Sequence, residues 1–179
     1  PGLAYDIPLA LEARRRGLAV IGDIELFARA ARAPVVAVTG SNGKSTVTTL
    51  ASEILKAQGL AAPAGGNLGP PALELLDMEA DAYVLEISSF QMETTDSLAP
   101  LAATVLNISP DHLDRHGTLE RYAELKEKLL HAADNAVVNA DDPIVAAMGG
   151  RHPRATAFSV TKELRRGYSV VVREGERWL

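Results

Sequence analysis

From Val35 onward, apolar residues fall into two alternating rhythms. Short unbroken runs, several rich in β-branched residues, predict buried strands at 35–39, 82–87, 103–107, 136–139 and 155–159. Between them, apolar positions at helical spacing predict helices at 44–58, 70–77, 118–133 and 142–148. In the first of these, Val47, Leu50, Ala51, Ile54 and Leu55 stand at i, i+3, i+4, i+7 and i+8, which is one face of a helix. Strands and helices alternating at these lengths argue for an α/β fold, a mostly parallel sheet with helices on both faces. Ahead of this block, Ile7 to Arg16 reads as a helix ending at Gly17, Leu18 to Ile21 as a short strand, and Ile24 to Arg32 as a helix before Pro34. Behind it, Tyr168 to Val172, a turn at Glu174-Gly175 and Arg177 to Leu179 read as a hairpin. There is no internal repeat and no low-complexity tract.

These patterns divide the chain into residues 1–33, the tail of a preceding domain, and residues 34–179, a domain incomplete at its C-terminal end. Pro1 is not a translation start, and a parallel sheet stopping at Leu179 would leave an edge open to pairing. The expectation is a piece of a larger protein.

Composition narrows the function classes. A net charge of −5 offers no footprint for nucleic acid or an anionic membrane. The absence of cysteine removes disulfides and thiolate metal sites. No signal peptide and no apolar stretch of about eighteen residues is present, which predicts a cytoplasmic protein.

The candidate chemistry begins at Thr39-Gly40-Ser41-Asn42-Gly43-Lys44-Ser45-Thr46, between the first strand and the first long helix. Glycines let the backbone turn several N–H groups inward, the helix N-terminus adds partial positive charge, and Lys44 adds a full one. Such a nest suits nucleotide phosphates, and the Ser45 hydroxyl suits a magnesium ion. The general phosphate loop carries a glycine five residues before its Gly-Lys pair; here that position is Val38. A glycine pattern at a strand–helix junction can also serve only to turn the chain.

Ligands of open α/β sheets bind off the carboxyl ends of the strands, so those ends come next. Glu86 directly follows a buried run; a carboxylate there needs a cation or donors, and either magnesium or a helix cap or salt bridge would satisfy it. The loop Asp111-His112-Leu113-Asp114-Arg115-His116 gathers two histidines and two aspartates, which suits a metal or simply a polar loop. Lys126 falls inside the apolar arc of Tyr122, Leu125, Leu129 and Leu130. Its head either snorkels to water or enters a polar site, where a neutral amine could take up carbon dioxide as a magnesium-binding carbamate. Ala64 to Pro71, with Gly65, Gly66, Asn67 and Gly69, reads as a connecting turn or a ligand approach. Asp141 or Asp142 reads as an N-cap before the Pro143 helix.

Together these passages resemble the Mur ligases, ATP-dependent amide-forming enzymes of peptidoglycan synthesis, from Pro1 to about Asp142. Gly22-Asp23-Ile24-Glu25-Leu26-Phe27, Gly65-Gly66-Asn67-Leu68-Gly69, Leu85 to Glu93 (with Ser88-Ser89-Phe90-Gln91), Asp111 to Arg115 and Val138 to Asp142 carry the likeness. These strings are most similar to the branch that joins D-glutamate to UDP-N-acetylmuramoyl-L-alanine. The resemblance implies a phosphate-loop central domain, truncated, with Gly40 to Thr46 binding ATP and Lys44 on its phosphates. It implies one magnesium on Ser45 and Glu86, and a second on His112 and carbamylated Lys126. Asn67, Ser88, Gln91 and His112 would line the acceptor cleft, and Pro1-Gly2 resembles the end of a nucleotide-sugar domain loop. The implied reaction passes through an acyl-phosphate that the amine of D-glutamate attacks, with Lys44, His112 and Lys126 as the catalytic groups. The full-length protein would be a monomer, and this chain alone would not ligate. A folylpolyglutamate-synthase-like ligase has a similar phosphate loop but lacks the Ser-Ser-Phe-Gln string. A GTPase switch would need an Asn-Lys-x-Asp sequence, which is absent; a nucleotide-binding fragment is the remaining alternative.

Overall fold

The computed structural model describes residues 6–178. Two helices come first, α1 (Pro8–Arg15) and α2 (Asp23–Ala30). A seven-stranded sheet follows, built from β1 (Val35–Thr39), β2 (Ala64–Gly66), β3 (Tyr83–Glu86), β4 (Ala102–Val105), β5 (Asn135–Asn139), β6 (Ala155–Ser159) and β7 (Tyr168–Ser169). Its order is β2-β3-β1-β4-β5-β6-β7 and every pair is parallel. The crossovers carry α3 (Lys44–Ala57), a 3-10 helix (Ala72–Asp77), α4 (Ser89–Met92), α5 (Leu113–His116), α6 (Leu119–His131) and α7 (Pro143–Gly149). A separate antiparallel hairpin pairs β8 (Val171–Arg173) with β9 (Glu176–Trp178).

The five expected strands form, and the sequence reading departs from the structure at the margins. Leu18–Ile21 forms no strand; Leu18 is exposed, and the segment delivers Gly22 to Thr94 instead. Ala64–Gly66 is more than a turn, because it adds an edge strand to β3. Glycine is required there: Gly66 has φ +102°, and a Cβ would stand 2.5 Å from the Glu86 carbonyl oxygen. The 70–77 helix is a 3-10 helix. The expected strand at 168–172 splits in two: Tyr168–Ser169 joins β6, the Val170 N–H donates to Ser159 O, and Val171 onward turns away into the hairpin. Leu179, Pro1 and Gly2 lie outside the described residues.

Most of the core lies on one sheet face. Phe27, Leu75, Met92, Tyr122, Leu129 and Met148 pack there against Ala37, Leu85, Val105 and Val138. Ile24 and Phe27 of α2 are fully buried in this core, and Phe27 meets Tyr83 edge-to-face at 5.0 Å. Glu25, between them, accepts hydrogen bonds from Asp96 N (2.7 Å), Ser97 N and Ser97 Oγ (both 2.9 Å). Burial pushes its carboxyl up, but the Ser97 and Asp96 N–H groups, the Ser97 hydroxyl and Arg29 hold it down at about 2. A carboxyl depressed from 4.5 stabilises the fold above its ordinary value, and that stability drains away as pH falls from about 4.5 toward 2. Glu25→Ala is expected to cost about 3 kcal/mol in urea unfolding at neutral pH, by stranding those donors.

Helices lie on both faces, but unequally. The face opposite carries α3, and α3 is turned differently from its hydrophobic pattern. Thr48 and Ser52 are buried against the sheet, whereas Leu50 and Ile54 are more than half exposed. Ser45, Thr48 and Ser52 share one helix side, and the Ser45 hydroxyl on that side donates to Glu86. Ser52 completes the seam by donating to Ala62 O at 2.6 Å. Beside α3, an apolar groove lies open over β4 to β6, lined by Val36, Val47, Ala51, Thr104, Val137 and Phe158. The chain by itself is expected to bind a hydrophobic dye at this face. Leu50→Lys with Ile54→Lys should lower the dye signal while the far-ultraviolet spectrum stays unchanged.

Candidate active site

β1 lies between β3 and β4, so the loops that leave their carboxyl ends converge at the reversal of strand order. Gly43, at φ 81°, is the N-cap of α3 and brings no side-chain cap. The first N–H groups of α3 therefore lack partners inside the helix and form an anion-binding end. The expected ATP-binding run Gly40–Thr46 divides in two. The Ser41 and Asn42 N–H groups are already taken, by Asn107 O at 2.9 Å and Asn107 Oδ1 at 2.8 Å. The Ser41 hydroxyl is buried among Ser109 N (2.9 Å), Ser109 O (3.1 Å) and Tyr122 OH (3.1 Å). Residues 40–42 thus set the loop's shape, while the N–H groups from Gly43 to Thr46 remain to meet an anion. Lys44 folds back so that Nζ donates to Ser41 O at 3.0 Å.

Among the described residues Glu86, buried at the end of β3, is neither a helix cap nor half of a salt bridge. The Ser45 hydroxyl donates to its Oε2 and Asn67 Nδ2 to its Oε1, both at 2.7 Å. Asn67 comes from the turn after β2, so three strand ends supply one constellation of oxygens and an amide.

On the β4 side, His112 is the N-cap of α5 in the left-handed region, at φ 51°. Its ring lies tilted at 51° against Phe90 with centroids 4.8 Å apart, and its Nε2 is 3.5 Å from Asp111 Oδ2. Lys126 does not snorkel. It is 1% exposed, its Nζ donates to Gly40 O (2.9 Å) and Thr39 Oγ1 (3.2 Å), and it lies 4.6 Å from the centre of the Tyr122 ring. Burial, then the nearby charge of Lys44, push its amine down to about 7, against the opposing pull of Asp111 and Glu86. Lys44, Asn67, Ser88, His112 and Lys126 line one cavity, with Ser89, Phe90, Asp111 and Tyr122 completing its wall.

Gln91 sits behind this wall. It is 2% exposed, and its amide is spent on Ser88 and Asp23. The rest of the 111–116 loop does not gather around a metal. His116 is buried with Nε2 2.9 Å from Ser89 Oγ, its protonation disfavoured chiefly by burial although Glu93 opposes this, and Arg115 pairs with Glu93. Among the described residues no group of three or more His, Asp or Glu side chains could hold an ion. Magnesium would instead fit Ser45 and Glu86, whose adjacent hydroxyl and carboxylate resemble the sparse protein ligation of an ion shared with phosphates. Asp142 is the cap of α7, accepting from Ile144 N and Val145 N, and it also holds Ile108 N at 2.8 Å. Asp141 instead accepts from Ser159, Thr161 and Val160. Sequence reasoning missed Asn107 and Ser109, although their place just after β4 could have found them.

The Mur ligase middle domain pattern matches residues 38–173. The chain belongs to the Mur ligase middle domain family. It is 50% identical over 179 residues to a UDP-N-acetylmuramoylalanine–D-glutamate ligase of Methylococcus capsulatus and 48% identical over 180 residues to that of Escherichia coli K12. All of the chain is covered, but it spans only 39% and 40% of those relatives' lengths. Among solved Mur ligases it is similar to a UDP-N-acetylmuramoyl-L-alanyl-D-glutamate–2,6-diaminopimelate ligase, with TM-score 0.67, 28% identity and coverage of 79% of this chain and 35% of the other. It also matches a MurF ligase from Thermotoga maritima in complex with ADP, with TM-score 0.64, 25% identity and coverage of 80% and 38%. No helix among the described residues is long and apolar enough to cross a membrane.

Proposed function

We propose that the full-length polypeptide carrying this chain is an ATP-dependent ligase that adds D-glutamate to UDP-N-acetylmuramoyl-L-alanine. The observation that carries this reading is Glu86, held between Ser45 of the phosphate loop and Asn67 of the cavity. A carboxylate held between the phosphate loop and the cavity supports magnesium-assisted transfer from ATP to an acceptor. The identity to ligases named for D-glutamate supports the substrates, and the likeness to a ligase solved with ADP supports the nucleotide.

In this reading the first turn of α3 and Lys44 hold the phosphates of ATP. Ser45 and Glu86 would hold one magnesium ion, and His112 with Lys126 as its carbamate a second. Magnesium, when bound, offsets negative charge on the phosphoryl group. The acceptor's carboxylate attacks the γ-phosphorus, ADP leaves, and the amine of D-glutamate then displaces phosphate from the acyl-phosphate, giving up a proton as the amide forms. No protein nucleophile is needed; Lys44 and the helix N–H groups orient the phosphates, while Asn67, Ser88 and His112 face the acceptor. Gln91 serves that cleft through Ser88. Residues binding D-glutamate lie outside this chain. Residues 1–33 close a preceding nucleotide-sugar domain, with α2 as the joint to the middle domain, and the enzyme works as a cytoplasmic monomer. The chain by itself binds nucleotide without completing a ligation.

The test is the full-length protein with ATP, magnesium and UDP-N-acetylmuramoyl-L-alanine against a panel of amino acids. Phosphate release matched one-to-one by amide formation, with D-glutamate preferred, is expected. Release that depends on another amino acid or on a folate acceptor would overturn the substrate assignment.

A further inference from the structure

We propose that Asp23 is a positioning residue that fixes the hydrogen-bonding polarity of Ser88 toward the acceptor, acting through Gln91; this rests on the acceptor site proposed above. The three residues form a chain of hydrogen bonds. Gln91 Nε2 donates to Asp23 Oδ2 at 3.1 Å, and Gln91 Oε1 accepts from Ser88 N at 3.0 Å and Ser88 Oγ at 3.2 Å. Ser88 Oγ in turn accepts from Gln91 N at 3.2 Å, so the pair closes a capping box on α4.

The chemistry of the two ends admits one orientation of the amide. An ionised carboxylate only accepts and a backbone N–H only donates, so the nitrogen of Gln91 faces Asp23 and its oxygen faces Ser88. That choice spends the hydroxyl hydrogen of Ser88 on Gln91 and one lone pair on the Gln91 N–H. The remaining lone pair is what Ser88 offers the cavity it lines. Ser88 is therefore presented as an acceptor, suited to an amide N–H or a hydroxyl of the sugar-nucleotide substrate. Without Asp23 only the Ser88 N–H opposes a turn of the amide, a turn that would set a donor against Ser88 N and release the hydroxyl to point either way.

Asp23 can act as a fixed reference because α2 is clamped at two points to the segment that follows α4 and is anchored in the core. Gly22 N donates to Thr94 O, and a Cβ at Gly22 would overlap the Thr94 hydroxyl. Glu25 binds the backbone of Asp96 and Ser97, and Ile24 and Phe27 are fully buried. The two sequence strings at Gly22–Phe27 and Ser88–Glu93 thus form one structural unit.

The experiment compares wild type, Asp23→Ala and Asp23→Asn in the full-length ligase. Steady-state kinetics for each substrate is paired with hydrogen exchange at the Ser88 and Gln91 amides. Asp23→Ala is expected to raise KM for UDP-N-acetylmuramoyl-L-alanine about tenfold, with KM for ATP within about twofold. Asp23→Asn, which still offers an acceptor to Gln91 Nε2, should restore the acceptor KM to within about twofold of wild type. Faster exchange at Ser88 and Gln91 should appear only in the alanine variant. An acceptor KM unchanged in Asp23→Ala, or both KM values raised together, overturns the proposal. If wild type ligates no D-glutamate, the substrate reading has failed, and unchanged exchange in Asp23→Ala would show that the relay has failed as well.

Discussion

Lys44→Ala is expected to lower kcat/KM of the full-length ligase about 10³-fold, the scale of losing a preorganised positive group at a transferring phosphoryl. Lys44 Nζ donates to the Ser41 carbonyl, so the loop itself holds the ammonium beside the first turn of α3. Lys44→Arg should not restore the rate, because a planar guanidinium cannot occupy the same point-charge position. Stability should change by no more than about 0.5 kcal/mol, since the side chain is half-buried and its bond to Ser41 O is easily replaced by water. Coupled ADP-release kinetics alongside urea unfolding separates the two effects. A rate within about tenfold of wild type would remove Lys44 from the phosphate site.

Lys126→Met should abolish ligation while making the fold more stable. The ammonium is buried beside Lys44, and its depression from 10.5 to about 7 expresses a cost of about 5 kcal/mol when it is protonated. Between those values the unfolded chain binds more protons than the folded one, so stability rises with pH. In bicarbonate-free buffer, Lys126→Met is therefore expected to be more stable than wild type near pH 6. The gap should close as pH rises from about 7 to 10.5. A methionine fills the stem's volume, and its thioether suits the Tyr122 ring. Wild-type activity should rise with added bicarbonate and that of Lys126→Met should not. A variant that ligates normally, or a stability gap that widens with pH, would contradict the buried-amine account. A residue that costs stability in the core has its explanation in the site.

What was legible in the sequence followed from strong local signals. The β1–loop–α3 unit, the strand-end position of Glu86 and the inward angle of Lys126 each stand on periodicity or on burial beside a charge. The rotation of α3 was not legible, because its apolar stripe is real but the Ser45–Glu86 contact turns Thr48 and Ser52 to the sheet. Nor was β2: Ala64–Gly66 has no β-propensity, and only the approach to Glu86 makes a strand of it. Gln91 drew attention within a distinctive string, yet its contribution is a cap whose partner, Asp23, lies 68 residues earlier. Such pairings are tertiary, and a single chain of letters holds no local trace of them.

The central claim is that the ends of β1, β2 and β3 form one magnesium–nucleotide site through Ser45, Glu86 and Asn67. The direct test is calorimetric titration of ATP into the full-length protein with and without magnesium, for wild type and Glu86→Gln. Magnesium is expected to tighten ATP binding at least about tenfold in wild type, and that gain should vanish in Glu86→Gln while magnesium-free binding persists. Equal affinity with and without magnesium in wild type, or an undiminished magnesium gain in Glu86→Gln, would contradict it.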